Sequence, residues 1–229
     1  MKRAVLCLLL VACSKKTEST TTAPADAAPP AVTASAVASA SAPAPAPPPP
    51  APVPKKYKRV LHTGDSMVGG GLSRALGPMF EADGAKYHRD VIESGTIHTF
   101  SQDSHIPELL AKVKPDLVLV SLGANHIHQG ADPEKEIGPY VPKLLKRLDG
   151  IDCYWIAPPI WKPEQASFNA WLKEHVAPCK FYDGSELEIA RRADKIHPNE
   201  KGGEVWAADF WKFYKGDGAF TLLPDAGTP

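Results

Sequence analysis

The sequence predicts an α/β fold: a flavodoxin-like three-layer α/β/α sandwich built on a five-stranded parallel sheet. Apolar runs of five to seven residues, bounded by turn residues, alternate with longer amphipathic stretches, which is the pattern of a parallel sheet covered by helices on both faces. The run Leu117-Val118-Leu119-Val120-Ser121-Leu122 is almost wholly apolar rather than alternating, so its strand must be buried on both faces.

The strands are expected at 59–63, 87–92, 117–122, 153–157 and 181–182, and the helices at 72–82, 106–113, 140–148, 164–175 and 199–214. In the last helix Val205, Trp206, Phe210 and Phe213 make an apolar stripe at three- and four-residue spacings, read as core. No internal repeat interrupts the alternation. The resulting domain spans 57–217, long enough for one sizeable core.

The preceding residues have another composition. Residues 1–13 have a basic start at Lys2 and Arg3, an apolar run and then Leu-Val-Ala-Cys, which reads as an export signal. The run is roughly half of the ~20 residues that span a bilayer. Leu10-Val11-Ala12-Cys13 resembles the lipobox of bacterial lipoproteins, which implies cleavage before Cys13, lipidation there, and a membrane partner reached through the lipid. Ser14 then implies sorting to the outer membrane in a double-membrane host, facing the periplasm or the cell surface. Residues 14–56 are dominated by Ala, Pro, Ser and Thr and lack the large apolar residues of a core, so they read as a disordered tether. At about 3.1 Å per residue such a segment reaches on the order of 100 Å. Residues 218–229 are read as a tail. With 26 basic and 26 acidic residues, no global field argues for nucleic acid. The domain is expected to act as a monomer.

In open parallel sheets ligands sit beyond the carboxyl ends of the strands. At those ends stand Gly64-Asp65-Ser66, Glu93-Ser94-Gly95, Gly123-Ala124-Asn125 and Pro158-Pro159, with Asp194-Lys195-Ile196-His197 past the fifth. A serine hydroxyl needs a base to take its proton, and the base needs a partner to fix its tautomer. His197 can serve Ser66, and Asp194 three residues earlier can serve His197. The Ser66 N–H, the Gly95 N–H and the Asn125 amide are candidate donors to an oxyanion. Asp65 and His126 are read as polar substrate-binding positions, and Gly69 to Gly71 as leaving open space beside Ser66.

These residues resemble the SGNH hydrolases, also called the GDSL esterase/lipase superfamily. Gly64-Asp65-Ser66 matches the first block, Gly95 the second, Gly123-Ala124-Asn125 the third and Asp194-Lys195-Ile196-His197 the last. The resemblance implies Ser66 as nucleophile, His197 as general base, Asp194 as its orienting partner, and Gly95 with Asn125 completing the oxyanion hole. It also implies hydrolysis of an ester or thioester without metal or cofactor, here from a small molecule or polysaccharide. One departure is that His126 follows Asn125 where the family often has Asp.

Other readings stay open at this point. A phosphate-cradling turn would want Gly or Ala where Arg74 stands, and the Gly-x-Ser-x-Gly elbow fails at Val68. A wall- or glycan-binding lipoprotein that keeps the fold without turnover would retain the same residues. His126 and His128 could hold a metal only with further ligands. Cys153 and Cys179, near the starts of neighbouring strands, are either bridged or two buried thiols.

Overall fold

The computed structural model describes residues 55–163 and 165–216. The expected signal peptide with Cys13, the expected tether before Lys55 and the expected tail lie outside the described residues. The sheet has five strands, all parallel, in the order β2-β1-β3-β4-β5. They are β1 (Arg59–Gly64), β2 (Lys86–Val91), β3 (Leu117–Ser121), β4 (Asp152–Ile156) and β5 (Lys180–Tyr182). The α/β class and the five-stranded parallel sheet are those expected, with boundaries shifted by at most one residue.

The period of two along each strand divides the core into two layers. Leu61, Val118, Val120 and Trp155 face one side, where Phe100, Leu144, Phe168 and Leu172 complete a cluster. Val60, Leu117, Leu119, Tyr154 and Ile156 face the other, against Leu76, Phe80, Trp206 and Phe210. All five residues of β3 are buried, as its continuous apolar run requires.

The second layer is made by α1 (Ser73–Ala82) and α8 (Glu200–Lys215), and the first by α2 (Ile97–Gln102), α3 (His105–Val113), α6 (Val141–Arg147) and α7 (Gln165–His175). Two further short helices, α4 (Ala124–Gln129) and α5 (Pro133–Glu136), follow β3. Neither they nor α2 has the length over which a helical period shows in sequence. The apolar stripe of α8 also needs correction. Trp206 and Phe210 are wholly buried, whereas Val205 is 41 % exposed, because it lies about 100° around the helix from Trp206. Asn199 caps this helix, its Oδ1 accepting the Gly202 N–H at 2.9 Å.

Two features fix the frame below the carboxyl rim. His62, wholly buried in β1, bridges β2 and β3: its Nδ1 lies 2.6 Å from Tyr87 Oη and its Nε2 2.9 Å from Ser121 Oγ. Burial, helped by the nearby Arg89 charge, pushes the imidazole down to about 3, so it stays neutral and links the strands. At the amino ends, Cys153 and Cys179 form a disulfide. There too Lys55 Nζ and Tyr57 Oη both donate to Asp152 Oδ2, at 2.8 and 2.9 Å.

Candidate active site

Ser66 is held to the sheet by its predecessors. A Cβ on Gly64 would lie 2.1 Å from the Ser121 carbonyl oxygen, so only glycine lets β1 end this close to β3. The Asp65 N–H donates to that same oxygen at 3.1 Å. The chain then turns into a helix at Ser66, whose first backbone N–H groups have no partner within the helix.

The next turn, Val68–Leu72, contains the glycine run and is kinked, because Gly70 and Gly71 leave helical geometry. Those glycines do not leave space beside Ser66, as the sequence had suggested; the start of α8 fills it. A Cβ on Gly70 would meet Pro198 Cγ at 2.9 Å, and one on Gly203 would meet the Gly71 carbonyl carbon at 2.4 Å. Gly71 has φ +112°, where other residues are strained. Backbone therefore docks on backbone, and the loop before α8 is brought over Ser66.

That loop carries His197. Ser66 Oγ lies 2.8 Å from His197 Nε2, and His197 Nδ1 lies 2.9 Å from Asp194 Oδ2. An ionised carboxylate only accepts, so Nδ1 carries the ring hydrogen and Nε2 is left to accept the serine proton. The other Asp194 oxygen accepts the backbone N–H groups of Ile196 and His197, at 2.8 and 2.9 Å. The Ile196 N–H first, then the His197 ring, pull this carboxyl down to about 2. Although exposed, Asp194 is thereby kept charged and aimed.

Asn125, in the first turn of α4, is only part-buried and reaches Gly95: its Nδ2 donates to the Gly95 carbonyl at 2.8 Å. The structure thus brings the two candidate oxyanion residues together, but not with every donor free. The Gly95 N–H is engaged with Ile92 O at 2.9 Å, in a turn where Ser94 has φ +58°. One hydrogen of the Asn125 amide remains beyond its bond to Gly95.

Two expected substrate contacts are corrected. Asp65 is wholly buried under the turn, with Oδ1 accepting the Met67 N–H at 3.0 Å and Oδ2 making no hydrogen bond. Burial outweighs the nearby N–H groups and pushes this carboxyl up to about 7. His126 is 6 % exposed and stacks on Phe168, with ring centroids 6.3 Å apart, and its buried Nε2 makes no hydrogen bond. It is a wall behind the rim, not a surface on it. Among the described residues no three His, Cys, Asp or Glu side chains are grouped to hold a metal.

The raised Asp65 has a thermodynamic consequence. A folded-state pKa above the unfolded one gives stability that is full below the unfolded value and lost as pH rises through the folded value. Asp65→Asn should therefore gain on the parent between pH 4 and 8, on the order of 1.4 kcal/mol per unit of the shift. Urea midpoints at both ends of that range check it, and a constant difference would overturn it.

Sequence reading missed Arg191, whose guanidinium donates to the carbonyls of Pro159, Ile160 and Ile196 beside the histidine loop and whose only signal was membership of a basic run. It also missed the pairing of Gly71 with Gly203, although two glycine runs, one after Ser66 and one after His197, were a visible hint.

The arrangement is a hydroxyl, an imidazole and a carboxylate in line on the carboxyl rim of a parallel sheet, which is the constellation of a serine nucleophile and its base. By sequence the chain matches no family model and no curated protein. Its fold is nevertheless shared with solved structures. A family 3 carbohydrate esterase from Clostridium thermocellum is similar at TM-score 0.57 and 16 % identity, over 69 % of this chain and 95 % of that one. An acetylxylan esterase from Geobacillus stearothermophilus, solved as a catalytic mutant, gives 0.53 and 15 %, over 68 % and 93 %. The psychrotrophic esterase EstA from a Pseudoalteromonas species gives 0.52 and 18 %, over 69 % and 97 %. The chain has the SGNH hydrolase fold.

Proposed function

We propose that the chain is a serine ester hydrolase in which Ser66 is the nucleophile, His197 the general base and Asp194 its orienting partner. The single observation that carries this is the unbroken relay from Ser66 Oγ through the His197 ring to Asp194, with contacts of 2.8 and 2.9 Å. As Oγ attacks an ester carbonyl carbon, its proton passes to His197 Nε2, and the imidazolium is held against the Asp194 carboxylate. The carbonyl oxygen becomes an oxyanion beside the Ser66 N–H and the Asn125 amide. For Gly95 to join them, its N–H must leave Ile92 O, so the turn at Ser94 has to move. Collapse of the intermediate sends the proton from Nε2 to the departing alcohol. Water then repeats the cycle on the acyl-serine and releases the acid.

The substrate we favour is an O-acetyl group on a cell-wall or exopolysaccharide sugar. Three things support it. Two proteins of the same fold are a carbohydrate esterase and an acetylxylan esterase. A cleft of about 460 Å³ beside the histidine loop is lined by Ser185, Glu186, Glu188 and Arg191 as well as by Ile160, Leu187 and Ile189, so groups able to meet sugar hydroxyls share its wall with aliphatic side chains. The lipobox and tether of the sequence suit an exported enzyme anchored at Cys13 in the outer membrane and reaching beyond it.

The test is hydrolysis by the full-length chain of p-nitrophenyl esters of rising acyl length. Turnover confined to acetate supports the deacetylase. A preference for long acyl chains would instead select a lipase or thioesterase, and no turnover of any ester would leave a glycan-binding protein.

A further inference from the structure

Ser66 and His197 are anchored by different parts of the fold, so their 2.8 Å contact depends on both anchorings. Ser66 is fixed to the sheet through Gly64 and Ser121. The histidine loop is supported on one side, where Pro198 packs on Gly70 and Ile189 and Ile196 pack against the second cluster; at its tip Asp194 and Lys195 are exposed, and Lys195 has φ +61°. Backbone bonds close the loop on itself, with the Arg192 N–H donating to His197 O at 2.8 Å and the Asn199 N–H to Ala190 O at 3.1 Å. These bonds shape the loop without tying it to the strands.

We propose that Arg191 is a positioning residue that ties this loop to the end of β4 and so sets the place of His197 over Ser66. Its Nη2 donates to the carbonyls of Pro159 and Ile160, each at 3.0 Å. These carbonyls belong to the segment that leaves β4. Its Nη1 donates to the carbonyl of Ile196, the residue immediately before His197. The guanidinium carbon lies 5.8 Å from the centroid of the Trp161 ring, which fixes its plane from one side. One rigid fork thus spans the strand end and the catalytic loop. Lysine cannot copy it, because an ammonium is a point charge on a flexible stem.

This inference rests on the esterase reading for its kinetic consequence, but not for its structural one. The test uses full-length Arg191→Met and Arg191→Lys; methionine keeps an apolar stem against Trp161. Three quantities are measured: kcat and KM on p-nitrophenyl acetate, the thermal midpoint, and the low-field proton resonance of the His197 Nδ1–H bonded to Asp194. The resonance needs no substrate. Both variants are expected to stay folded and to lose kcat on the order of 10²-fold, as a displaced catalytic group does, with KM within about twofold of the parent. The low-field resonance should vanish or broaden in both. Retention of the parent kcat and resonance in either variant overturns the proposal, as does a fall in kcat matched by an equal fall in the folded fraction. If the parent shows the resonance but hydrolyses no ester, the esterase reading fails, and the resonance in the two variants alone decides the role of Arg191.

Discussion

Ser66→Ala is expected to lower kcat on ester substrates by about 10⁵- to 10⁶-fold, the scale on which loss of a triad nucleophile is felt, while leaving the fold and the thermal midpoint nearly unchanged. The side chain is only part-buried, so removing its hydroxyl opens little space. His197→Ala should cost nearly as much, because the residues of a relay act as a unit and their effects do not add. Asp194 is held ionised down to about 2, so its protonation should not enter the parent's activity profile at neutral or mildly acid pH. Burst titration with an activated ester, followed across pH, checks both points. Residual turnover by Ser66→Ala within tenfold of the parent would remove Ser66 from the chemistry.

Cys153→Ala with Cys179→Ala is expected to cost the fold about 3–4 kcal/mol, because the bridge closes a loop with a sequence separation of 26 residues and so restricts the unfolded chain. For a domain of this size the thermal midpoint should fall on the order of 10 °C. Both sulfurs are buried in the cluster with Val118, Trp155 and Val176, so some of the loss will be lost packing. Calorimetry of the parent with and without reductant separates the two contributions, since reduction breaks the bond while leaving the atoms in place. The bridge sits at the amino ends of β4 and β5, away from Ser66, so kcat at 25 °C should not change. A midpoint unaltered by the double substitution would contradict the loop-closure argument.

Much of the architecture was legible because it rests on strong local signals. The apolar run of β3 could only be a strand buried on both sides, and the residues after each strand had to share one rim. Boundaries moved where a cap rather than a period decides them, as at Asn199, whose side chain takes the Gly202 N–H. The position of the histidine loop was not legible, because close backbone packing such as Gly71 on Gly203 leaves no pattern beyond the glycines themselves. Burial of individual polar groups was hidden too. A serine, an aspartate and a histidine after strand ends look alike in sequence, yet Ser66 faces the rim while Asp65 and His126 turn into the interior. The Gly95 N–H is a similar case, since a hydrogen bond three residues back, to Ile92 O, follows from the shape of one turn.

The clasp of Lys55 and Tyr57 on Asp152 fixes where the chain enters the domain. It fastens the start of the domain at the amino ends of the strands, and α8 runs from beside His197 back to the same end, where the Tyr214 ring lies 6.5 Å from that of Tyr57. The length of β1, about 20 Å at the usual rise, separates this end from Ser66. The chain therefore enters the described domain at the amino ends of the strands, and Ser66 stands at the opposite, carboxyl rim.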